Sequence, residues 1–161
     1  MKSSYKFGLS FGTVSGVIST LGLMVGLQSG TESETAVIGG IIMIAIADSF
    51  SDALSMHVSE ESQKRMKQSF IWEATVATFV GKIVIALSFV FPFFFYGMST
   101  AIIINIIWGL LLVTVINYVI ARSRGAHPMK LVIEHLIITI FVILVTYLTG
   151  KYVRGFITSI A

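Results

Sequence analysis

The sequence predicts an all-α integral membrane protein, a single bundle of five transmembrane helices with its amino terminus in the cytoplasm. Of its 161 residues, 55% are hydrophobic and only 12% are charged, and the mean hydropathy is +0.91. These values lie well above those of a soluble globular domain. Most of the chain falls into five apolar runs of about 20 residues, the length that crosses a hydrocarbon layer about 30 Å thick. Too little remains for a soluble domain, so we predict one membrane domain over residues 1–161.

The five predicted spans follow one another with short connections. They cover residues 7–27, 36–58, 73–96, 101–121 and 131–149. The second helix is expected to continue to residue 68, because no proline or glycine interrupts the chain between Ile41 and Phe70. Pro92 predicts a kink near the end of the third span, which is tolerable where a neighbouring group satisfies the freed carbonyl. No small-residue cleavage site follows the first run, so we expect that span to be retained rather than removed as a signal peptide.

Basic residues predict the orientation of the bundle. With five spans, those that fall on one side are Lys2, Lys6, Lys64, Arg65, Lys67, Arg122, Arg124 and Lys130. Lysine and arginine are enriched in cytoplasmic loops, so this side is expected to be cytoplasmic. Lys151 and Arg154 depart from the rule and are expected to reach the membrane interface from the last turn. The same bias accounts for the net charge of +3 without a nucleic-acid partner.

Glycines recur at every fourth position in the first span. Gly8, Gly12 and Gly16 therefore share one face of the helix. Small residues at this spacing favour close approach of another helix. The alternative interpretation is a pore-lining helix that needs room along that face.

A stripe of polar residues on the second helix is the candidate functional site. Asp48, Asp52, Met56 and Glu60 recur every four residues, so successive members lie on one face with a drift of about 40° per step. Charges inside a bilayer cost about 2.5 to 3.5 kcal/mol each, which makes such acids functional candidates. Carboxylate oxygens with one thioether favour a transition metal such as Fe(II) or Mn(II). The alternative is that headgroups solvate the acids and that the methionine only packs.

Other polar residues in the spans have structural interpretations beside functional ones. Lys82 and Glu134 are expected to form an internal ion pair, which His135 could join; the functional alternative is a proton relay through these three side chains.

Asn105 and Asn117 are interpreted as donors of hydrogen bonds between helices. His57 lies on a different face from Met56, and we interpret it as interfacial, with metal ligation as the alternative.

Two segments resemble the vacuolar iron transporter family. The run from Ser15 to Leu27, which contains Thr-Leu-Gly-Leu, is similar to the first helix of that family. Ala53-Leu54-Ser55-Met56, followed by Glu60 and Ser62-Gln63, is similar to its second-helix signature. Pro92 and the run Thr146–Gly150 fit the family more loosely.

This resemblance implies a five-helix homodimer in the bilayer, with a pore between subunits lined by the first two helices, that exports Fe(II) from the cytoplasm in exchange for protons. By position, Met56 matches the pore methionine and Asp48 matches a pore carboxylate that is usually glutamate. Ser15 stands where the family has a first-helix carboxylate, and Asp52 is the expected replacement for it. The family's cytoplasmic metal-binding insert is missing. Glu61 and Glu73, with Glu60, are interpreted as the remains of that capture site or as salt-bridged surface.

The sequence therefore favours a transporter of Fe2+ or Mn2+ that exports metal from the cytoplasm by proton antiport. The expected metal ligands are Asp48, Asp52, Met56 and Glu60, and the expected pore lining is Ser15, Ser19 and Ser55. We expect no permanently bound cofactor and a location in the plasma membrane if the source is prokaryotic. The alternative is a non-transporting membrane interaction protein that keeps the dimer scaffold. An enzyme is disfavoured: the absence of cysteine excludes thiol catalysis, and no nucleophile–base pair, HExxH or phosphate loop is found.

Overall fold

The computed structural model describes residues 2–62, 66–123 and 125–160. Within these ranges the chain forms five α-helices and one 3₁₀ turn. They are α1 (Ser3–Thr31), α2 (Glu34–Ser62), α3 (Gln68–Ser88), the 3₁₀ turn (Phe91–Phe94), α4 (Met98–Ser123) and α5 (Pro128–Ile160). Counting the 3₁₀ turn with α3, all five helices of the described residues are long and apolar enough to cross a membrane. The predicted five-helix membrane fold is confirmed.

Helix α1 is the centre of the bundle. It packs most extensively against α3, then against α5, α2 and α4, while α2 packs mainly against α3 and α1. The connections are short, so successive helices alternate in direction. The start of α1 therefore lies at the same end of the bundle as the starts of α3 and α5 and the ends of α2 and α4. We call this the proximal end and the opposite one the distal end.

The first glycine face of α1 is a packing seam against α3. A Cβ atom added at Gly8 or Gly12 would overlap the backbone of Ala74 or Thr78, and one added at Gly16 would lie 3.2 Å from Lys82 Cγ. Close approach of two helices explains these glycines. The packing interpretation, rather than the pore-lining one, is therefore confirmed for this face.

A second glycine face on the distal half of α1 packs against α5. An added Cβ at Gly22 would lie 2.8 Å from Val142, and one at Gly26 would lie 3.5 Å from Thr146. Gly22 follows Gly16 by six residues, so the second glycine face lies on a different side of α1 from the first. The central helix is thus held by α3 along its proximal half and by α5 along its distal half.

Two helix ends differ from the prediction. Helix α2 ends at Ser62, and Met66 and Lys67 are not helical, so the predicted continuation of this helix to residue 68 is wrong at its end. Residues 63–65, which include Lys64 and Arg65, lie outside the described residues, and so does Arg124. Helix α5 continues to Ile160, well past the predicted end at residue 149. Arg154, in this extension, forms an ion pair with Glu32, the residue that caps α1. A partner on the neighbouring helix thus explains a basic residue at the distal end.

Pro92 ends the regular α-helix of the third span, and Asn105 compensates for it. Proline has no N–H to donate, which frees a carbonyl in the preceding turn. The Asn105 side-chain amide, fully buried on α4, donates to the Phe89 carbonyl at 2.8 Å. The expected hydrogen bond between helices is confirmed for Asn105. The side-chain amide of Asn117 instead donates to the Val113 carbonyl of its own helix at 2.8 Å, so the same expectation was wrong there.

Candidate intramembrane ion site

Three helices bring charged and hydroxyl side chains together near the middle of the bundle. Ser15 lies 12 residues from the start of α1, Lys82 lies 14 from the start of α3, and Asp48 lies 14 before the end of α2. At 1.5 Å per residue these positions are about 18 to 21 Å from the proximal ends, and Asp52, 10 residues before the end of α2, is about 15 Å from it. Helices α1 and α2 are about 44 Å long, and α3 together with the 3₁₀ turn is about 40 Å long. The four side chains of Ser15, Asp48, Asp52 and Lys82, which we call the Lys82 cluster, therefore lie at mid-depth.

The Lys82 ammonium group is the centre of this cluster. Its Nζ lies 2.6 Å from Asp48 Oδ2 and also forms an ion pair with Asp52 Oδ2. It donates hydrogen bonds to Asp52 Oδ2 and, at 3.0 Å, to Ser15 Oγ, and Ser15 Oγ in turn donates to Asp52 Oδ2 at 2.6 Å. An ammonium group has three N–H donors and no acceptor. Two of the Lys82 donors are therefore used in hydrogen bonds to α1 and α2, and the contact with Asp48 is an ion pair.

Burial differs sharply between the two charges of each ion pair. The Lys82 side chain is 2% exposed, whereas the side chains of Asp48 and Asp52 are 29% and 19% exposed. The ammonium is thus enclosed by protein, while both carboxylates reach the surface of the protomer. With all three groups ionised, the cluster carries one net negative charge at a depth where charge is costly.

Local sequence explains how the cluster forms. Asp48 and Asp52 are one helical turn apart and face α3 together. Gly16 leaves room for the aliphatic part of Lys82 to lie against α1, because any Cβ at this position would crowd the Lys82 side chain. The neighbouring Ser15 is then within reach of the Lys82 ammonium group.

The polar stripe of α2 does not stay on one surface. Met56 and Glu60 are both 6% exposed, and they are buried on the side of α2 that faces the bundle. The drift of about 40° per four residues turns Glu60 by about 120° from Asp48. In the described residues, no group of three or more histidine, aspartate or glutamate side chains has a geometry that could hold a metal ion. One protomer therefore brings together two of the four expected ligands.

The hydroxyl groups expected to line a pore lie in different surroundings. Ser15 belongs to the Lys82 cluster. Ser19 Oγ is buried and has no hydrogen-bond partner among the described residues. Ser55 is exposed on the outward side of α2, as are Ser51 and Ser59. The outward surface of α2 is therefore partly polar along the half that leads to the proximal end.

The predicted pair of Lys82 with Glu134 does not form. Glu134 is exposed near the start of α5 and lies six residues from Pro128, about 9 Å along its helix. Lys82 lies about 21 Å along α3, which starts at the same end of the bundle. The different depths explain the correction. His135 Nδ1 lies 2.9 Å from the Leu131 carbonyl of its own helix, and the imidazole lines a cavity of about 390 Å³ that also reaches Ser15.

The candidate capture residues lie at the proximal end. Glu73 Oε1 is 2.6 Å from Lys2 Nζ, and its other oxygen accepts a hydrogen bond from Ser4 at 2.5 Å, so the carboxylate joins the start of α3 to the start of α1. The hydrogen bond that Lys2 donates to Glu73 and the charge of Glu73 raise the pKa of Lys2 above its ordinary value. Glu61 is exposed at the end of α2. Glu73 thus has the contacts expected of a salt-bridged surface residue.

His57 contacts α3 on the outward side rather than the Lys82 cluster. Its Nδ1 lies 3.2 Å from Thr75 Oγ1, and its ring packs edge-on against Trp72 with 4.6 Å between ring centroids. The imidazole and the indole line a largely apolar groove between α2 and α3. Thr75 and Trp72 of α3 are therefore the contacts of this histidine, away from the Lys82 cluster.

The pairing of Lys82 with both aspartates was missed from the sequence, although two signals pointed to it. Lys82 is the only lysine or arginine in the predicted spans, and Asp48 and Asp52 are the only aspartates in the chain. Counting residues from the connection between α2 and α3 places all three at similar depth, because the two helices are antiparallel and adjacent in sequence. Matching depths rather than charges alone would have found the pair.

Comparison with family models, with curated proteins and with solved structures found no match to this chain.

Proposed function

We propose that this chain is a transporter of a divalent transition metal cation, Fe2+ or Mn2+. The observation that carries the proposal is the Lys82 cluster, in which two aspartates hold a cation at mid-depth and reach the protomer surface. Replacing a buried ion pair by apolar side chains is often neutral or stabilising, so folding alone gives little reason to keep one. A path for cations through the bilayer gives such a reason.

The donor atoms near the cluster support the choice of metal. Asp48 and Asp52 offer hard carboxylate oxygens, which suit Mn(II). Met56, one turn closer to the proximal end, is buried toward the bundle and is not counted as a ligand at the surface of α2. The resemblance of the first two helices to the vacuolar iron transporter family supports Fe(II).

A homodimer is part of the proposal. Each protomer supplies two carboxylates that are partly exposed on α2, beside the exposed hydroxyl groups of Ser51 and Ser55. Lipid cannot satisfy such groups, whereas a second copy related by a two-fold axis would cover them and double the number of ligands. In this arrangement the metal crosses between the two α2 helices. We further propose, from the family resemblance, that the proximal end faces the cytoplasm and that export is coupled to proton entry.

Flux through the purified protein tests the proposal. In proteoliposomes, the parent is expected to move Fe2+ and Mn2+ and to change the reading of an internal pH dye. Asp48→Asn removes one of the two carboxylate charges and is expected to lower the flux by roughly tenfold or more. Glu34→Gln is the control, because Glu34 is an exposed acid at the distal start of the same helix. Parental flux in the Asp48→Asn variant would show that the assignment is wrong.

A membrane interaction protein without transport activity is the second candidate. It is favoured by Lys82, which already occupies both aspartates, and by the lack of three convergent ligands in the described residues of one protomer. Thermal unfolding in detergent separates the two candidates. Fe2+ or Mn2+ stabilises a protein that binds it and leaves the unfolding temperature of a scaffold unchanged.

A further inference from the structure

We infer that Lys82 is a tethered competitor for the metal, and that it makes the site selective for divalent over monovalent cations. The inference rests on the proposed function and concerns the same site. It assigns to a lysine of α3 the control of how tightly the two aspartates of α2 hold their cargo. Lys82 itself is a positioning residue, because it acts through the carboxylates and is not a ligand.

The geometry makes the two cations mutually exclusive. Lys82 Nζ contacts Oδ2 of both Asp48 and Asp52, at 2.6 Å in the case of Asp48. A divalent transition metal bound to carboxylate oxygens lies about 2.0 to 2.2 Å from them. A metal that used both Oδ2 atoms would therefore occupy nearly the same point as the ammonium nitrogen. Binding of the metal requires Lys82 to withdraw.

Ser15 offers Lys82 an acceptor that the metal does not need. The Lys82 Nζ–Ser15 Oγ distance is 3.0 Å, and a neutral hydroxyl is a much weaker metal ligand than a carboxylate. The flexible four-carbon stem of lysine allows the ammonium to move while the helix stays in place. Lys82 can thus give up both carboxylates and keep one hydrogen bond.

Charge explains the selectivity. A monovalent ion brings to the two aspartates the same charge as the ammonium that it would replace, and the tethered ammonium has the advantage of a high effective concentration. A divalent ion gains about twice the Coulomb energy from the same two carboxylates. Na+ or K+ is therefore excluded while Fe2+ or Mn2+ displaces Lys82. Lys82 also returns to the carboxylates when the metal leaves, which prevents the metal from remaining bound at the site.

Two substitutions with opposite expected effects test the inference. The measurement is the Mn2+ concentration that fills half of the sites, obtained from the rise of the unfolding temperature with Mn2+ concentration in detergent, with and without excess Na+. Lys82→Gln removes the competitor, so this concentration is expected to fall on the order of tenfold or more and to become sensitive to Na+. Lys82→Arg installs a cation with two parallel donors for carboxylates, so the concentration is expected to rise. Lys151→Gln, at an exposed lysine of α5, is expected to match the parent.

The outcomes separate this inference from the proposed function. If the parent is stabilised by Mn2+ but both variants require the parental concentration, Lys82 is only structural and the inference falls while the proposed function stands. If the parent neither binds nor moves Mn2+ or Fe2+, both fall. If Lys82→Gln fails to fold, the arginine variant decides: a higher Mn2+ requirement supports the inference, and an unchanged one overturns it.

Discussion

Replacing Lys82 by methionine is expected to destabilise the folded protein strongly. The substitution leaves Asp48 and Asp52 without their shared cation, and both Oδ2 atoms contact the same nitrogen at present. The oxygens are therefore at most about 5 Å apart, and at an effective dielectric constant of about 20 two unit charges at that distance repel by about 3 kcal/mol or more. Removal of one partner from a buried ion pair costs about 3 to 5 kcal/mol in other proteins. We expect a loss of this size.

Thermal and denaturant unfolding in detergent, followed by the fluorescence of Trp72 and Trp108, measures this loss. The triple variant Lys82→Met, Asp48→Asn, Asp52→Asn removes all three charges with little change of shape, and it is expected to recover most of the lost stability. Parental stability of the Lys82→Met variant, or no recovery in the triple variant, would refute the electrostatic account of the cluster.

Three further predictions concern the frame around the cluster. Gly12→Ala is expected to push α1 away from α3 and to cost about 1 to 3 kcal/mol of stability by overpacking. The control is Gly39→Ala, which has open space around it and should be neutral or slightly stabilising when the two variants are unfolded in detergent. Asn105→Leu leaves a buried carbonyl unsatisfied and should cost about 1 kcal/mol, as measured for hydrogen bonds between membrane helices; an unchanged unfolding midpoint would contradict this. Glu73 raises the pKa of Lys2 above 10.5, so their ion pair stabilises the fold below that pH and this contribution is lost as the pH rises through the Lys2 pKa. The variant Glu73→Gln should return the Lys2 pKa to its ordinary value in an NMR titration.

Most of the fold follows from local features of the sequence. Apolar run length predicts the helices, and the spacing of Gly8, Gly12 and Gly16 predicts a close contact, because both depend on one segment at a time. The end of α5 was missed because Gly150 resembles a helix terminus, whereas in the structure it packs against Gly30 of α1. Contacts of this kind depend on which helix is the neighbour, and one span alone carries no such information.

The candidate site was predictable only in part. The stripe on α2 identified Asp48 and Asp52 as a pair on one face, since helical geometry alone relates them. Their partner Lys82 lies on another helix, and choosing Asp48 and Asp52 over Glu134 as its partners required the depth of each residue in the bundle. Burial of Met56 also depends on the angle at which α2 meets α1 and α3, which the spacing does not contain.

The two glycine seams of α1 have a mechanical consequence. Helices α1, α3 and α5 are fastened backbone to backbone, so they form a frame in which neither sliding nor rotation is possible without steric overlap. Helix α2 packs against α3 and α1. Its close glycine contact with this frame is at Gly40, near the distal end, where an added Cβ would overlap the side chain of Leu27. The half of α2 from Asp48 to Ser62, which carries both aspartates, has no such glycine contact in the described residues. Tilting this half would separate Asp48 and Asp52 from Lys82 while α1, α3 and α5 stay in place.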